Sequence, residues 1–347
     1  MKINANQITA LRIVLLPLPL FLIYGGTTSR CIALIILIFL GLTDYLDGLM
    51  ARRYGVTTLG KLLDPIADKI FVAVTLVPLA DLHILPMWIV WPIFLREFLV
   101  TEMRRFMTPG TKGLKVTELA KIKTTLQMVG VGLILLTATF PDKLITISFL
   151  SGLFVATLFL GVAIYFKTSR LSSRLKAALF FEILGLAIAI LFTPTMINLL
   201  YGIIVLGITL ASGFQYVKAC LPYAFEAGWK AFFHLVSSLL LPLFVLGLLP
   251  VAPKSTHLLV VLILAIEFAV QGIDMWAAQE KRRDISAIKK RYLFPFLVLV
   301  STVLFLSGVE LVSVVLWFLA LASAASLFYL AADIWLHREL FSNGEFF

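Results

Sequence analysis

The sequence predicts an all-α polytopic membrane protein: a helical bundle of about twelve transmembrane helices, with both termini cytoplasmic. Three observations predict it. Hydrophobic residues make up 61% of the 347 and charged ones only 14%, with a mean hydropathy of +1.03. Near-continuous apolar runs of about 20 residues recur along the chain, long enough to cross the hydrocarbon core of a bilayer. Lys and Arg collect in alternate loops. No soluble core needs this much apolar sequence, and the short alternating segments of a β-barrel are absent.

The spans fall near 8–25, 31–50, 62–82, 86–106, 118–139, 144–166, 175–193, 196–217, 230–250, 256–277, 291–308 and 310–335. Gly25-Gly26, Tyr54-Gly55, Pro109-Gly110, Pro141-Asp142, Pro250 and Pro253 mark turns between them. The first stretch reads as a span and not a cleaved leader, because no small-residue cleavage site follows and Arg12 interrupts its start. One side collects Arg52, Arg53, Arg104, Arg105, Lys112, Lys115, Lys167, Arg170, Arg174, Lys176, Lys218 and the run from Lys281 to Arg291. The other side holds only Arg30, Lys143 and Lys254. The formal charge of +10 is therefore positive-inside bias and attraction to anionic lipid heads. Nucleic acid is a poor partner for basic residues divided among short loops. Cys31 and Cys220 fall on opposite sides of the membrane, so they do not pair, and neither has metal-ligand spacing.

Residues 44–68, DYLDGLMARRYGVTTLGKLLDPIAD, are the most informative stretch. Carboxylates at a membrane segment are costly, so four of them need a reason. Asp44 and Asp47 are three apart, with Gly48 and Ala51 continuing their helix face. Asp64 and Asp68 are four apart on the next helix. A tight turn between Arg52 and Gly60 lets the two helices pack antiparallel and bring all four carboxylates together. Pro65 is expected in the first turn of the third span, where its missing N–H costs little. Hard oxygen donors suit Mg²⁺ or Mn²⁺ with phosphate oxygens, and the absence of His and Cys argues against zinc. Arg52 can offer a bidentate fork to a phosphate. Carboxylates snorkelling at helix ends would account for Asp44 or Asp68 alone, but not for four at this spacing with the glycines.

This pattern, Asp-x-x-Asp-Gly-x-x-Ala-Arg followed by Gly-x-x-x-Asp-x-x-x-Asp, resembles the signature of the CDP-alcohol phosphatidyltransferase family. All eight signature residues are present: Asp44, Asp47, Gly48, Ala51, Arg52, Gly60, Asp64 and Asp68. The gap between Arg52 and Gly60 departs from the family by being one residue shorter than its commonest spacing. The resemblance implies transfer of a phosphatidyl group from CDP-diacylglycerol to a polar alcohol, with release of CMP. It implies a site for two Mg²⁺ or Mn²⁺ ions on Asp44, Asp47, Asp64 and Asp68. It makes Asp68 the general base, and gives Gly48, Ala51, Arg52 and Gly60 to the CDP moiety. It further implies a multi-pass enzyme of the cell (inner) membrane with a cytoplasm-facing site, and a homodimer, although nothing in the chain shows an interface.

The acceptor must be read elsewhere. REFLVTEMR at 96–104 and AKIKTTLQ at 120–127, with Asn6, Thr9 and Arg12 near the start, resemble the branch of the family that uses sn-glycerol 3-phosphate, the bacterial phosphatidylglycerophosphate synthases. Arg96, Arg104, Lys121 and Lys123 are the expected acceptor-phosphate pocket. Lys121 and Lys123, two apart, do not share a helix face, so at most one points at the ligand. Arg104, Arg105 and Lys115 are equally well read as plain positive-inside residues. Arg96 lies too deep in its span for that, and Glu97 beside it is expected on another face.

The resemblance covers residues 1–139 well. TLASGFQY at 209–216 looks like the end of the branch's last helix. The preferred division therefore places a catalytic membrane domain at 1–220, with an inserted hairpin at 144–193, and an additional helical domain of unknown role at 221–347. The alternative ends the core near 170. His234, Glu267 and Asp274 are intramembrane candidates in the additional region, and no second Asp-x-x-Asp-Gly occurs there. Competing readings are the same chemistry on phosphatidylglycerol, an inositol phosphate or serine; a twelve-span transporter using the aspartates for cations; and a C-terminal bundle that only binds a partner or handles lipid. The transporter reading lacks matching interrupted helices in the two halves.

Overall fold

A computed structural model describes residues 5–54, 58–105, 118–168, 173–226, 228–281 and 310–336. Every regular element among them is a helix: α1 (Ala5–Leu15), α2 (Pro17–Ile23), α3 (Thr27–Tyr54), α4 (Thr58–Asp81), α5 (Met87–Arg105), α6 (Glu118–Thr139), α7 (Lys143–Thr168), α8 (Ser173–Leu191), α9 (Pro194–Glu226), α10 (Gly228–Leu248), a 3-10 turn (Lys254–Thr256), α11 (His257–Lys281) and α12 (Glu310–Leu336). The helices stand where the sequence has its apolar runs, and the run at 291–308 lies outside the described residues. Among the described residues, three helical segments, Pro194–Glu226, Lys254–Trp276 and Val312–Ala332, are long and apolar enough to cross a bilayer.

Two prolines shape the N-terminal half. Pro17 has no N–H to continue α1, so the first apolar stretch is split in two at Leu16. Pro65 was expected in a first helical turn, but α4 begins at Thr58 and Pro65 lies inside it. The helix starts earlier because Thr58, Leu59, Gly60 and Lys61, ahead of the apolar run, are already wound into it. One backbone hydrogen bond is thereby lost beside Asp64 and Asp68.

α5 is the centre of the bundle. It packs against α9, α10, α11 and α4, and eleven of its residues are buried, among them Arg96, Glu97 and Glu102. α6 packs on α9 and α3, and α1 packs on both α3 and α4. α7 and α8 pack chiefly on each other. α11 packs along α4 and α5, and α12 packs on α11. One continuous apolar core joins the two halves of the chain, from Leu16 to Ala320. At its centre Phe98 stacks on Phe268 with centroids 4.0 Å apart and planes 3° apart, and Phe94 lies 6.0 Å from the same Phe268 ring.

Buried side-chain hydrogen bonds tie helix to helix where apolar packing has little net drive against lipid. Thr137 of α6 donates to Asn198 of α9. Gln271 of α11 donates to the Ser238 carbonyl of α10 at 2.9 Å. Ser323 of α12 donates to Glu267 of α11 at 2.9 Å. Glu267, singled out as a candidate functional group, therefore has a structural partner. Both cysteines are free thiols.

Phe268→Ala should lower the unfolding midpoint of the detergent-solubilised protein. The loss should be smaller than the ~3–5 kcal/mol of a water-soluble core, because in a bilayer the exposed partners meet lipid instead of water. Thermal unfolding followed by near-ultraviolet circular dichroism measures it.

Candidate active site

The carboxylate side of the site is built from α1, α3 and α4. Asp64 and Asp68 are one turn apart on α4, and Thr9 and Arg12 are one turn apart on α1. The two helices match these faces. Thr9 Oγ1 donates to Asp64 Oδ1 at 2.9 Å, and Arg12 Nη2 lies 3.5 Å from Asp68 Oδ1. Thr9 and Arg12 are almost fully buried, whereas the Asp68 side chain is 36% exposed. Arg12 thus comes from inside the protein, while Asp68 stays partly exposed. Gly60 is buried near the start of α4. Asp44, Asp47, Gly48, Ala51 and Arg52 occupy the C-terminal half of α3; their side chains lie outside the described residues.

The cationic side is built from α5, α6 and α9. Arg96 Nη1 donates to Glu97 Oε1 at 3.1 Å and its Nη2 donates to Ser212 Oγ at 2.9 Å. Lys123 of α6 donates to the same Glu97 oxygen. Arg96, Glu97, Lys123 and Ser212 are all buried. Glu97 and Arg96 leave α5 on different faces, yet their side chains meet. A carboxylate buried at this depth needs cations, and the long side chains of neighbouring residues bend toward each other to provide one. The Arg104 guanidinium lies 4.5 Å from the centroid of the Tyr216 ring on α9, and that of Arg96 lies 5.8 Å from it. Gly213 makes this approach feasible: a Cβ there would sit 2.6 Å from Arg96 Cγ. Arg96, Arg104 and Lys123 thus converge on one region, while the side chain of Lys121 lies outside the described residues.

Several participants were missed in the sequence. Lys69 follows Asp68 directly, and its Nζ donates to Thr101 Oγ1 of α5 at 2.7 Å. The rule that singled out Arg96, an ionisable group deep in an apolar span, applies equally to Lys69 and Glu97. Ser212 and Tyr216 carry no such signal. Asp274 of α11 pairs at 3.9 Å with Arg105, which also lies 3.7 Å from Glu102. The side chain of His234 lies outside the described residues.

The family model for CDP-alcohol phosphatidyltransferase matches residues 2–167, which takes in all eight signature residues and the segments around Arg96 and Lys123. A protein of Mycobacterium tuberculosis described as a probable phosphatidylglycerophosphate synthase is 35% identical over 168 residues, covering 46% of this chain and 78% of that protein. The chain belongs to the CDP-alcohol phosphatidyltransferase family. Two further relatives are described as CDP-diacylglycerol–glycerol-3-phosphate 3-phosphatidyltransferase. That of Rickettsia typhi is 36% identical over 141 residues (39% of this chain, 78% of the relative), and that of Bacillus subtilis is 34% identical over 175 residues (46% and 87%). No solved structure matches the chain. This phosphatidyltransferase-family chain extends far past the matched region, and α9, which closes over Arg96, lies beyond residue 167.

Removing Glu97 leaves two buried cations facing each other. Glu97→Ala should therefore cost about 3–5 kcal/mol of stability, the range for breaking a buried pair from one side, whereas Arg104→Ala should cost far less. Thermal unfolding of the two purified variants beside the unsubstituted protein checks the order.

Proposed function

We propose that this chain transfers the phosphatidyl group of CDP-diacylglycerol to sn-glycerol 3-phosphate, releasing CMP for phospholipid synthesis. The observation that carries the reading is the family match over residues 2–167. It spans the carboxylate signature and the acceptor-side cations together, and relatives covered to three quarters or more of their length are described by this reaction. The acceptor side supports a phosphorylated alcohol: Arg96 and Lys123 meet at the Glu97 carboxylate, and Arg104 lies over the Tyr216 ring beside Arg96. That excess of positive charge suits an incoming phosphate, and Lys69 adds another donor nearby.

The donor set fits a divalent cation. Asp64 and Asp68 present hard oxygens from adjacent turns of one helix, and Asp68 is open on one side. Among the described residues no group of three metal-ligating side chains is assembled; the side chains of Asp44 and Asp47 are not among those described. We assign the four aspartates to two Mg²⁺ or Mn²⁺ ions, which when bound neutralise the diphosphate and stabilise the departing CMP. Asp68 accepts the proton of the acceptor hydroxyl, held in orientation by Arg12. Thr9 orients Asp64. Gly48, Ala51 and Gly60 give the CDP moiety a close approach to the backbone, and Arg52 contacts its phosphates. Arg96, Arg104, Lys121 and Lys123 hold the acceptor phosphate, with Glu97 spacing Arg96 from Lys123.

The catalytic bundle in this reading runs to about residue 220. Ser212, Gly213 and Tyr216 close over Arg96, and the hairpin of α7 and α8 packs mainly on itself, as an insertion would. Twelve crossings of the cell (inner) membrane, a homodimeric assembly, cytoplasmic termini and a cytoplasmic site belong to the same proposal. The asymmetry of Lys and Arg between alternate loops supports the orientation.

Purified full-length protein in detergent, given CDP-diacylglycerol, Mg²⁺ and sn-glycerol 3-phosphate, should release CMP only when the acceptor is present. Acceptor-dependent CMP from serine, an inositol phosphate or phosphatidylglycerol instead would reassign the acceptor, and none from any alcohol would sink the reading. Chelation with EDTA should bring the rate to background, and Mg²⁺ or Mn²⁺ should restore it. Asp68→Asn should lower turnover by about 10²–10⁴-fold, the usual contribution of a general base, while CDP-diacylglycerol still binds. Undiminished turnover in that variant would refute the base assignment.

A further inference from the structure

α11 lies along the groove between α4 and α5, and it touches both at several levels. At its start His257 Nδ1 is 2.7 Å from Asp81 Oδ2 at the end of α4. In its middle Phe268 stacks on Phe98 and Phe94 of α5, and Lys69 Nζ of α4 lies 6.0 Å from the same ring. One turn on, a Cβ at Gly272 would lie 2.5 Å from Ile66 Cγ1, so the backbones approach as closely as glycine permits. Near its end Asp274 meets Arg105 of α5. Asp81 to Ile66 pairs with His257 to Gly272, so α11 runs antiparallel to α4.

The register decides what these contacts do. Ile66 is two residues from both Asp64 and Asp68, on the opposite face of α4. α11 therefore backs α4 from behind and presses its carboxylate face toward Thr9 and Arg12. At the end of α5 the two arginines go opposite ways. Arg104 reaches Tyr216 on α9, and Arg105 reaches Asp274 on α11. Neighbouring residues of a helix point about 100° apart, so tethering Arg105 fixes the rotation of the last turn and with it the direction of Arg104. Both members of the outer pair are buried, their side chains 7% and 2% exposed, where water does not screen them.

We propose that Asp274 is a positioning residue for the acceptor-phosphate pocket, and that α11, from the part of the chain the family model does not match, is the pocket's rear wall. The inference rests on the reading under Proposed function and goes past it by giving the C-terminal region a part in the reaction. Asp274 touches no reacting atom. It acts through Arg105 on Arg104.

The test uses the full-length protein with Asp274→Ala, the near-isosteric Asp274→Asn, the charge-conserving Asp274→Glu, and Arg105→Ala alone and combined with Asp274→Ala. KM and kcat are measured for sn-glycerol 3-phosphate and for CDP-diacylglycerol, with size-exclusion elution and thermal unfolding beside them. Asp274→Ala and Asp274→Asn should raise the KM for sn-glycerol 3-phosphate roughly tenfold or more, as misplacement of a binding group does, with the KM for CDP-diacylglycerol unchanged. Asp274→Glu should recover most of the loss. The double variant should be no worse than the worse single one, because both changes break the same link. The proposal is overturned if the KM for the acceptor is unchanged in the Ala and Asn variants. It is overturned equally if both KM values stay constant while kcat falls in step with the folded fraction, the mark of a purely structural residue. A wild-type protein without acceptor-dependent CMP release overturns the underlying reading and this inference with it. An active wild type with unaltered variants overturns the inference alone.

Discussion

A charge buried among apolar helices has to find its counter-charge within the protein, and the arrangement around Glu97 meets that constraint for three helices at once. Glu97 sits on α5, takes Arg96 from the same helix and Lys123 from α6, and Arg96 in turn bonds Ser212 of α9. Removal of any one partner leaves a buried charge exposed to a medium that does not solvate it. Buried polar contacts thus join α5, α6 and α9 within the apolar core. The pocket proposed for the acceptor phosphate is the same set of groups. In that proposal one cluster both joins the helices and receives an anion.

The carboxylate side follows the same logic in reverse. Asp64 and Asp68 on α4 are met by Thr9 and Arg12 on α1, so α1 is held to the site by its polar face although it is largely apolar. Arg12 is buried and Asp68 is partly open. This asymmetry is consistent with the base role proposed for Asp68. α11 then supports α4 and α5 from the far side, with aromatic stacking at mid-height and polar pairs toward both ends. The second half of the chain thus shares the core of the first and does not hang from it as a separate body.

Much of the fold was legible because membrane insertion imposes a length on each apolar run. The helices α3, α6 and α9 stand on the runs near 31–50, 118–139 and 196–217. The eight signature residues were legible because carboxylates in an apolar chain are rare and their i,i+3 and i,i+4 spacing is a property of the helix alone. Arg96 was legible from its depth. The pairing of Glu97 was not, because neighbouring residues start on different helix faces and only the length of the side chains brings them together. Arg12 with Asp68, and Asp274 with Arg105, join residues far apart in sequence, and nothing in local spacing encodes such a meeting.

The sequence by itself determined the helical class of the protein, its family and the eight residues of the family signature, because each depends on composition or on distances along one helix. Only the tertiary structure decided which cation answers which carboxylate, that α9 closes over Arg96, and that α11 backs the carboxylate helix. Those outcomes depend on how rigid helices pack against one another, and small residues set them: Gly213 against Arg96 and Gly272 against Ile66. A glycine in a span is unremarkable to read along the chain, and it acquires meaning only when a second helix arrives where a side chain would have stood.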